Sequence, residues 1–110
     1  MIKVNWYLLS NGNIEESKKN IEIKYENNIL YYQNGKYLNT IDVINKIFKR
    51  KSPDYELLID FEKKEITFDF KEKGKYSMKL KTYYYIDKKY IKMKYILDCE
   101  EKEIIVEKIN

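Results

Sequence analysis

A period of two runs through most of this chain. Ile2, Val4, Trp6 and Leu8 alternate with Lys3, Asn5 and Tyr7. Ile21, Ile23 and Tyr25 alternate with Glu22 and Lys24, and Tyr55, Leu57, Ile59 and Phe61 share one side of "DYELLIDF". Ile66, Phe68 and Phe70 share one side of "EITFDF". Successive side chains on a strand point to opposite faces, so each run reads as a half-buried strand, apolar inward and polar outward. β-Branched and aromatic residues fill the runs, and alanine, the best helix former, is absent from the chain.

Turn chemistry separates the runs. Asn34-Gly35 lies between "ILYYQ" and "KYLNT", where Asn-Gly supplies the positive φ of a tight hairpin. Glu62-Lys63-Lys64, Lys73-Gly74-Lys75, Asp87-Lys88-Lys89 and Glu100-Glu101-Lys102 punctuate the rest. A spacing of about a dozen residues predicts an antiparallel meander. The expected fold is therefore all-β, one domain over residues 1–110, a barrel of about eight strands with the first strand beside the last ones. The expected core is Trp6, Ile23, Tyr31, Leu57, Ile59, Phe61, Phe68, Leu80, Tyr84, Met93, Tyr95 and Leu97. "TIDVINKIFKRKSP" has two readings. Val43, Ile44, Ile47 and Phe48 fit one face of a short helix over 42–50, capped by Asp42 and stopped by Ser52-Pro53. The preferred alternative pairs "YLNTIDV" with "KIFKRK" across a turn at Asn45-Lys46.

Composition removes several chemistries. With no histidine and one cysteine, neither a histidine-activated nucleophile nor a histidine- or cysteine-rich metal site can be assembled. No phosphate-binding glycine loop is present. The chain is expected to be no enzyme and to need no cofactor. Cys99 follows Tyr95 and Leu97 in phase and is expected as a buried small hydrophobe. Asp60, Asp69 and Asp98 sit on the polar phase of their strands. Two of them facing one another would make an acid–base pair, but neighbouring lysines predict exposed ion pairs instead. A lone cysteine fits a reducing compartment, "MIKVNWYLLS" has no apolar leader core, and no apolar run approaches the ~20 residues of a spanning helix. A cytoplasmic protein without membrane contact is the expectation. The abundance of Ile, Lys, Asn, Tyr and Glu points to a low-GC bacterial genome.

The segment "KTYYYIDKKYIKMKYILDC" holds five tyrosines and five lysines in nineteen residues. As a hairpin, with residues 76–86 as its first strand, Tyr76, Met78, Leu80, Tyr84, Met93, Tyr95 and Leu97 face inward. Lys79, Lys81, Tyr83, Tyr85, Tyr90, Lys92 and Lys94 face outward. That outer face suits single-stranded RNA, bases stacking on tyrosine and phosphates meeting lysine. Yet Arg50 is the only arginine, no RNP-type motif occurs, and a net charge of +4 is mild. A solvated sheet face is the simpler reading. Trp6, Tyr31, Tyr84 and Tyr95 are candidates to line an apolar cavity.

"NNILYYQNGKYLNTI", "LLIDFEKKEITFDF" and "MKLKTYYYIDKKYIKMKYILDCEEKEIIVEKI" together resemble the small YwiB-like proteins of low-GC bacteria. The resemblance implies a calycin-like, lipocalin-type barrel and carries no catalytic residues. The function expected is a non-enzymatic binding module for an apolar small molecule or a protein partner, a second copy of the chain included. Single-stranded RNA binding is the alternative.

Overall fold

A computed structural model describes residues 1–109. Among the described residues eleven strands are formed and no helix: β1 (Ile2–Ser10), β2 (Asn13–Glu26), β3 (Ile29–Asn34), β4 (Tyr37–Asp42), β5 (Ile47–Lys51), β6 (Tyr55–Asp60), β7 (Glu65–Phe70), β8 (Gly74–Lys79), β9 (Lys81–Ile86), β10 (Tyr90–Leu97) and β11 (Glu100–Lys108). All pairings are antiparallel, and each joins chain neighbours except that of β1 with β11. The chain divides into two compact units, residues 1–23 with 80–110, and residues 24–79. Among the described residues no helix is long and apolar enough to cross a membrane.

In the first unit the order is β2–β1–β11–β10–β9. Directly opposed residues share a face, so the register Trp6–Val106–Ile91–Ile86 and Leu8–Ile104–Met93–Tyr84 defines the apolar side. Val4, Trp6, Ile91, Met93, Ile104 and Val106 are almost fully buried there. The expected neighbourhood of first and last strands is present. A register shift between Val4 and Trp6 gives β2 one extra residue, accommodated by Asn20 at φ +57°. Asn5 holds this bulge by accepting the Asn20 N–H at 2.8 Å while donating to Glu107 at 2.9 Å.

The second unit is a local meander, β3 through β8 in chain order, with Lys24–Glu26 of β2 pairing β3. Its apolar side carries Leu30, Ile41, Phe48, Ile59 and Ile66 in one register row, all buried. Tyr32, Asn39, Arg50, Leu57, Phe68 and Tyr76 form the next row.

Several expectations change. There are eleven strands rather than about eight, partly because 76–86 is not one strand: it breaks at Leu80. β8 pairs with β7 and β9 with β10, so Met78 and Tyr76 lie exposed and Leu80 only half-buried. Tyr31, Phe68, Tyr84, Tyr95 and Leu97 are also partly exposed, whereas Trp6, Ile23, Leu57, Ile59, Phe61 and Met93 are buried as expected. No helix forms over 42–50. Asp42 accepts the Asn45 N–H at 3.0 Å, the bond a helix cap makes, but Lys46 then turns left-handed at φ +58° and the chain returns as β5. The same device recurs in the β6–β7 loop. There Asp60 accepts the N–H groups of Glu62 and Lys63, and Lys64 takes φ +57°.

The last hairpin turns earlier than expected, at Asp98-Cys99 rather than Glu100–Lys102. Leu97 opposes Glu100, and the two turn residues adopt φ +52° and +63°. Cys99 is exposed at this tip, not buried. A β-carbon strains this conformation, and glycine relieves it. Cys99→Gly is therefore expected to raise stability by about 1 kcal/mol, read as a melting temperature higher by a few degrees. In the native protein the Cys99 thiol should react fully with a disulfide reagent without denaturant. Protection until unfolding would refute the exposed turn.

Candidate functional site

Two surfaces gather chemically useful side chains. The first is the outward side of β9–β10. Tyr83 and Tyr85 are 57% and 53% exposed. Lys94 lies opposite Tyr83 and Lys92 opposite Tyr85. With Glu103 and residues 82 and 84 they line an open groove of about 530 Å³. Lys92 sits 4.9 Å from the Tyr90 ring and Lys94 6.0 Å from that of Tyr83. Of the residues expected on this face, Tyr83, Tyr85, Tyr90, Lys92 and Lys94 are brought together, with Lys81 at the start of β9. Lys79 is not among them: it belongs to β8 and pairs with Glu65 at 3.2 Å.

β11 dilutes the charge. Glu103 lies opposite Lys94 and Glu107 opposite Tyr90. Ion pairs join Lys94 to Glu101 and Lys89 to Glu107. The Asn5 amide, and then the Tyr90 hydroxyl, lower the pKa of Glu107. Asp87 organises the β9–β10 turn, accepting from the N–H groups of Lys89 and Tyr90 at 2.8 and 2.7 Å and from the Tyr85 hydroxyl at 2.7 Å. That last bond, with the nearby carboxylate charge, raises the pKa of Tyr85.

The second surface lies on the apolar side of the 24–79 unit, and sequence reading missed it. Tyr37, Tyr55, Phe70, Phe68 and Tyr76 form a run of rings. Centroids lie 6.4 Å apart for Tyr37–Tyr55, 6.2 Å for Tyr55–Phe70, 5.9 Å for Phe70–Phe68 and 6.0 Å for Phe70–Tyr76. These are favourable separations for offset or edge-on rings. Phe70 and Tyr76 are 37% and 54% exposed. A groove of about 380 Å³ opens against Phe70 between the loops Pro53-Asp54 and Lys71–Lys73. Arg50 lies beside Tyr37, its guanidinium carbon 5.7 Å from that ring and 5.8 Å from Phe48. The signal was available in the alternation of β4, β6 and β7, whose apolar phases end in Tyr37, Tyr55 and Phe70. Of the five rings only Phe68 is in the expected core.

The four aromatics expected to line one cavity sit on four different strands, β1, β3, β9 and β10. Trp6 is 1% exposed within the core of β1, two strands from the β10 residue Tyr95 and three from the β9 residue Tyr84 in the sheet order. Tyr31 faces outward in the other unit, under Lys24 at 5.1 Å, and lines a shallow groove with Thr40 and Lys49. Asp60 and Asp69 do not converge. Asp60 caps its turn, while Asp69 lies at the far end of the β6–β7 hairpin opposite Glu56. The separation is about 13 Å along the strands, too far for an acid–base pair. Asp98 sits in the β10–β11 turn. Among the described residues no three cysteine or carboxylate side chains are grouped to hold a metal ion.

Asp87 yields a pH prediction. Donation from the Tyr90 N–H, then from the Tyr85 hydroxyl and the Lys89 N–H, lowers its pKa. A depressed carboxylate contributes stability above its unfolded pKa of ~3.9, and loses it as pH falls through the lower folded value. Asp87→Ala should lower the melting temperature at neutral pH, with the gap to wild type closing between about pH 5 and pH 2. A gap that persists unchanged at the acid end would show that the carboxylate charge does not hold this turn.

Compared with family models, curated proteins and solved structures, the chain matches none of them. The two surfaces have to be read from their geometry.

Proposed function

We propose that this chain is a non-enzymatic binding module that takes a small, flat, apolar molecule on the aromatic row of the 24–79 unit. One observation carries the reading. Five rings linked through Phe70 run out to Tyr76 at 54% exposure, beside a groove of about 380 Å³. That volume lies in the range small-molecule sites occupy and is too small for a folded partner. Kinship with the YwiB-like proteins, closure into a calycin-like barrel and a cytoplasmic setting belong to the same proposal. The all-antiparallel meander supports the barrel.

The test is an amide-resolved NMR titration with naphthamide, a neutral flat probe. Saturable shifts are expected at Tyr37, Tyr55, Phe70 and Tyr76. Tyr55→Leu and Phe70→Leu should each weaken binding by roughly three- to tenfold, the worth of one ring contact. A titration that moves none of these amides would remove the reading.

The outward side of β9–β10 supports a second reading, single-stranded RNA binding. Its favouring observation is the pair of half-exposed rings, Tyr83 and Tyr85, each opposed by a lysine. A labelled oligouridylate should bind at low salt with micromolar affinity, weaken as salt rises, and lose most of its affinity in Lys92→Glu/Lys94→Glu. Flat titrations at low salt would eliminate it.

A further inference from the structure

Arg50 departs from how this chain handles positive charge. The sequence uses 21 lysines (22 basic residues less one) and a single arginine. The lysines are spread over turns and polar faces, several in ion pairs. Arg50 lies instead on the apolar side of β5, in register with Asn39 on one flank and Leu57 on the other. Among the described residues it makes no ion pair.

Its orientation is nonetheless fixed. Nε donates to Asn39 Oδ1 at 2.9 Å. Asn39 is 2% exposed and is itself tied to the Tyr32 carbonyl through its amide nitrogen, at a longer 3.4 Å. The rings of Phe48 and Tyr37 flank the guanidinium. One of five N–H donors is thereby used. Among the described residues the four on the terminal nitrogens have no acceptor, and none of these nitrogens is sealed from solvent. A guanidinium held by its inner edge, between rings and without a counter-charge, presents its outer edge as a two-pronged donor. That fork matches the two oxygens of a carboxylate. A lysine ammonium on a mobile stem presents no such edge.

From this we infer that the molecule received by the aromatic row is an aromatic carboxylate. Its ring stacks along Tyr37, Tyr55 and Phe70, and its carboxylate is gripped end-on by Arg50. Asn39 is the positioning residue. The inference rests on the aromatic row being a binding site, and the experiment separates the two claims.

Affinities of the full chain for naphthoate and for its neutral counterpart naphthamide are measured by calorimetry, in wild type, Arg50→Lys, Arg50→Gln and Asn39→Leu. Wild type should prefer naphthoate by about tenfold or more, the worth of a charged hydrogen-bonded contact, and added salt should erode that preference alone. Arg50→Gln should abolish the preference, and Arg50→Lys should leave only a small part of it. Asn39→Leu should reduce it with naphthamide binding unchanged, which a general loss of folding would not do. Circular dichroism confirms the fold of each variant. Equal binding of both probes to wild type overturns the carboxylate inference and leaves the row standing. Preference retained in Arg50→Gln overturns the assignment to Arg50. No binding of either probe removes both claims.

Discussion

The pairing of β1 with β11 is the contact on which the first unit depends. Seven pairs run from Val4–Lys108 to Ser10–Lys102. Trp6 meets Val106 across 100 residues (106 less 6), whereas every other ladder joins chain neighbours. Without it β9, β10 and β11 would be an isolated three-stranded meander, and within this unit β1 would keep only its hairpin with β2, marginal in water. Closing so long a loop costs entropy that local contacts do not repay. The sequence invests accordingly at this seam. Trp6, Ile104 and Val106 are buried on one side of it. On the other, Asn5 bridges to Glu107, and Asn11 both donates to the Glu101 carbonyl and accepts its N–H. The tyrosine–lysine face inherits its rigidity from this pairing, since β10 is fixed to β11 over eight pairs. The second unit needs no such seam. Each of its strands finds a partner within a few residues, which is the arrangement expected to form first.

How much of this was written visibly in the residues depends on what each feature competes with. The two-residue rhythm faces no strong competitor where Ile, Val and aromatics occupy the inner phase, so β1, β6 and β10 are legible down to their buried side chains. Asn34-Gly35 is legible as a turn, although the left-handed residue is Gly35 alone, at φ +59°. The helix over 42–50 was a real ambiguity, because an aspartate that caps a helix and one that caps a four-residue loop make the same bond to the N–H three residues on. Only Lys46 turning left-handed separates them, and lysine does not advertise that. Cys99 misled for a related reason. Its phase continues that of Tyr95 and Leu97, and neither Asp98 nor Cys99 is a strong left-handed residue, so nothing local announced the turn. Continuous alternation likewise concealed the break at Leu80, since a strand ending and a strand continuing have the same pattern on either side.

The candidate site was hidden by success of the same rule. Reading apolar phase as core assigns Tyr55 and Phe68 to the interior together with Ile59 and Ile66, because phase fixes a side of the sheet and not a depth. Depth in the second unit changes along the strands. Ile66 gives way to Phe68 and then to half-exposed Phe70, Ile59 to Leu57 and Tyr55, Ile41 to Asn39 and Tyr37, Phe48 to Arg50. At one end of this face the side chains are dry and, Phe48 apart, aliphatic. At the other they are aromatic, amide and guanidinium.

That gradient is what the physics of a partly open apolar face requires. An aliphatic side chain at the rim would expose surface that water penalises, with nothing to offset it. A phenol or guanidinium offers a flat apolar plane inward and a polar edge outward. The rim is therefore stable without a covering layer, yet its planes remain available to another ring. Fixing the only arginine at this rim removes a further obstacle. A free arginine side chain loses about 2 kcal/mol of rotamer freedom when it clamps a ligand. Here Asn39 and the two flanking rings have already imposed that order, so an oxyanion meets a donor whose orientation is settled before it arrives. The charge balance of the outward sheet face follows the opposite logic. There Glu56 and Asp69 oppose one another, and each has a lysine, Lys51 or Lys75, as its neighbour on the other flank. Arg50, flanked in register by Asn39 and Leu57, has no carboxylate beside it.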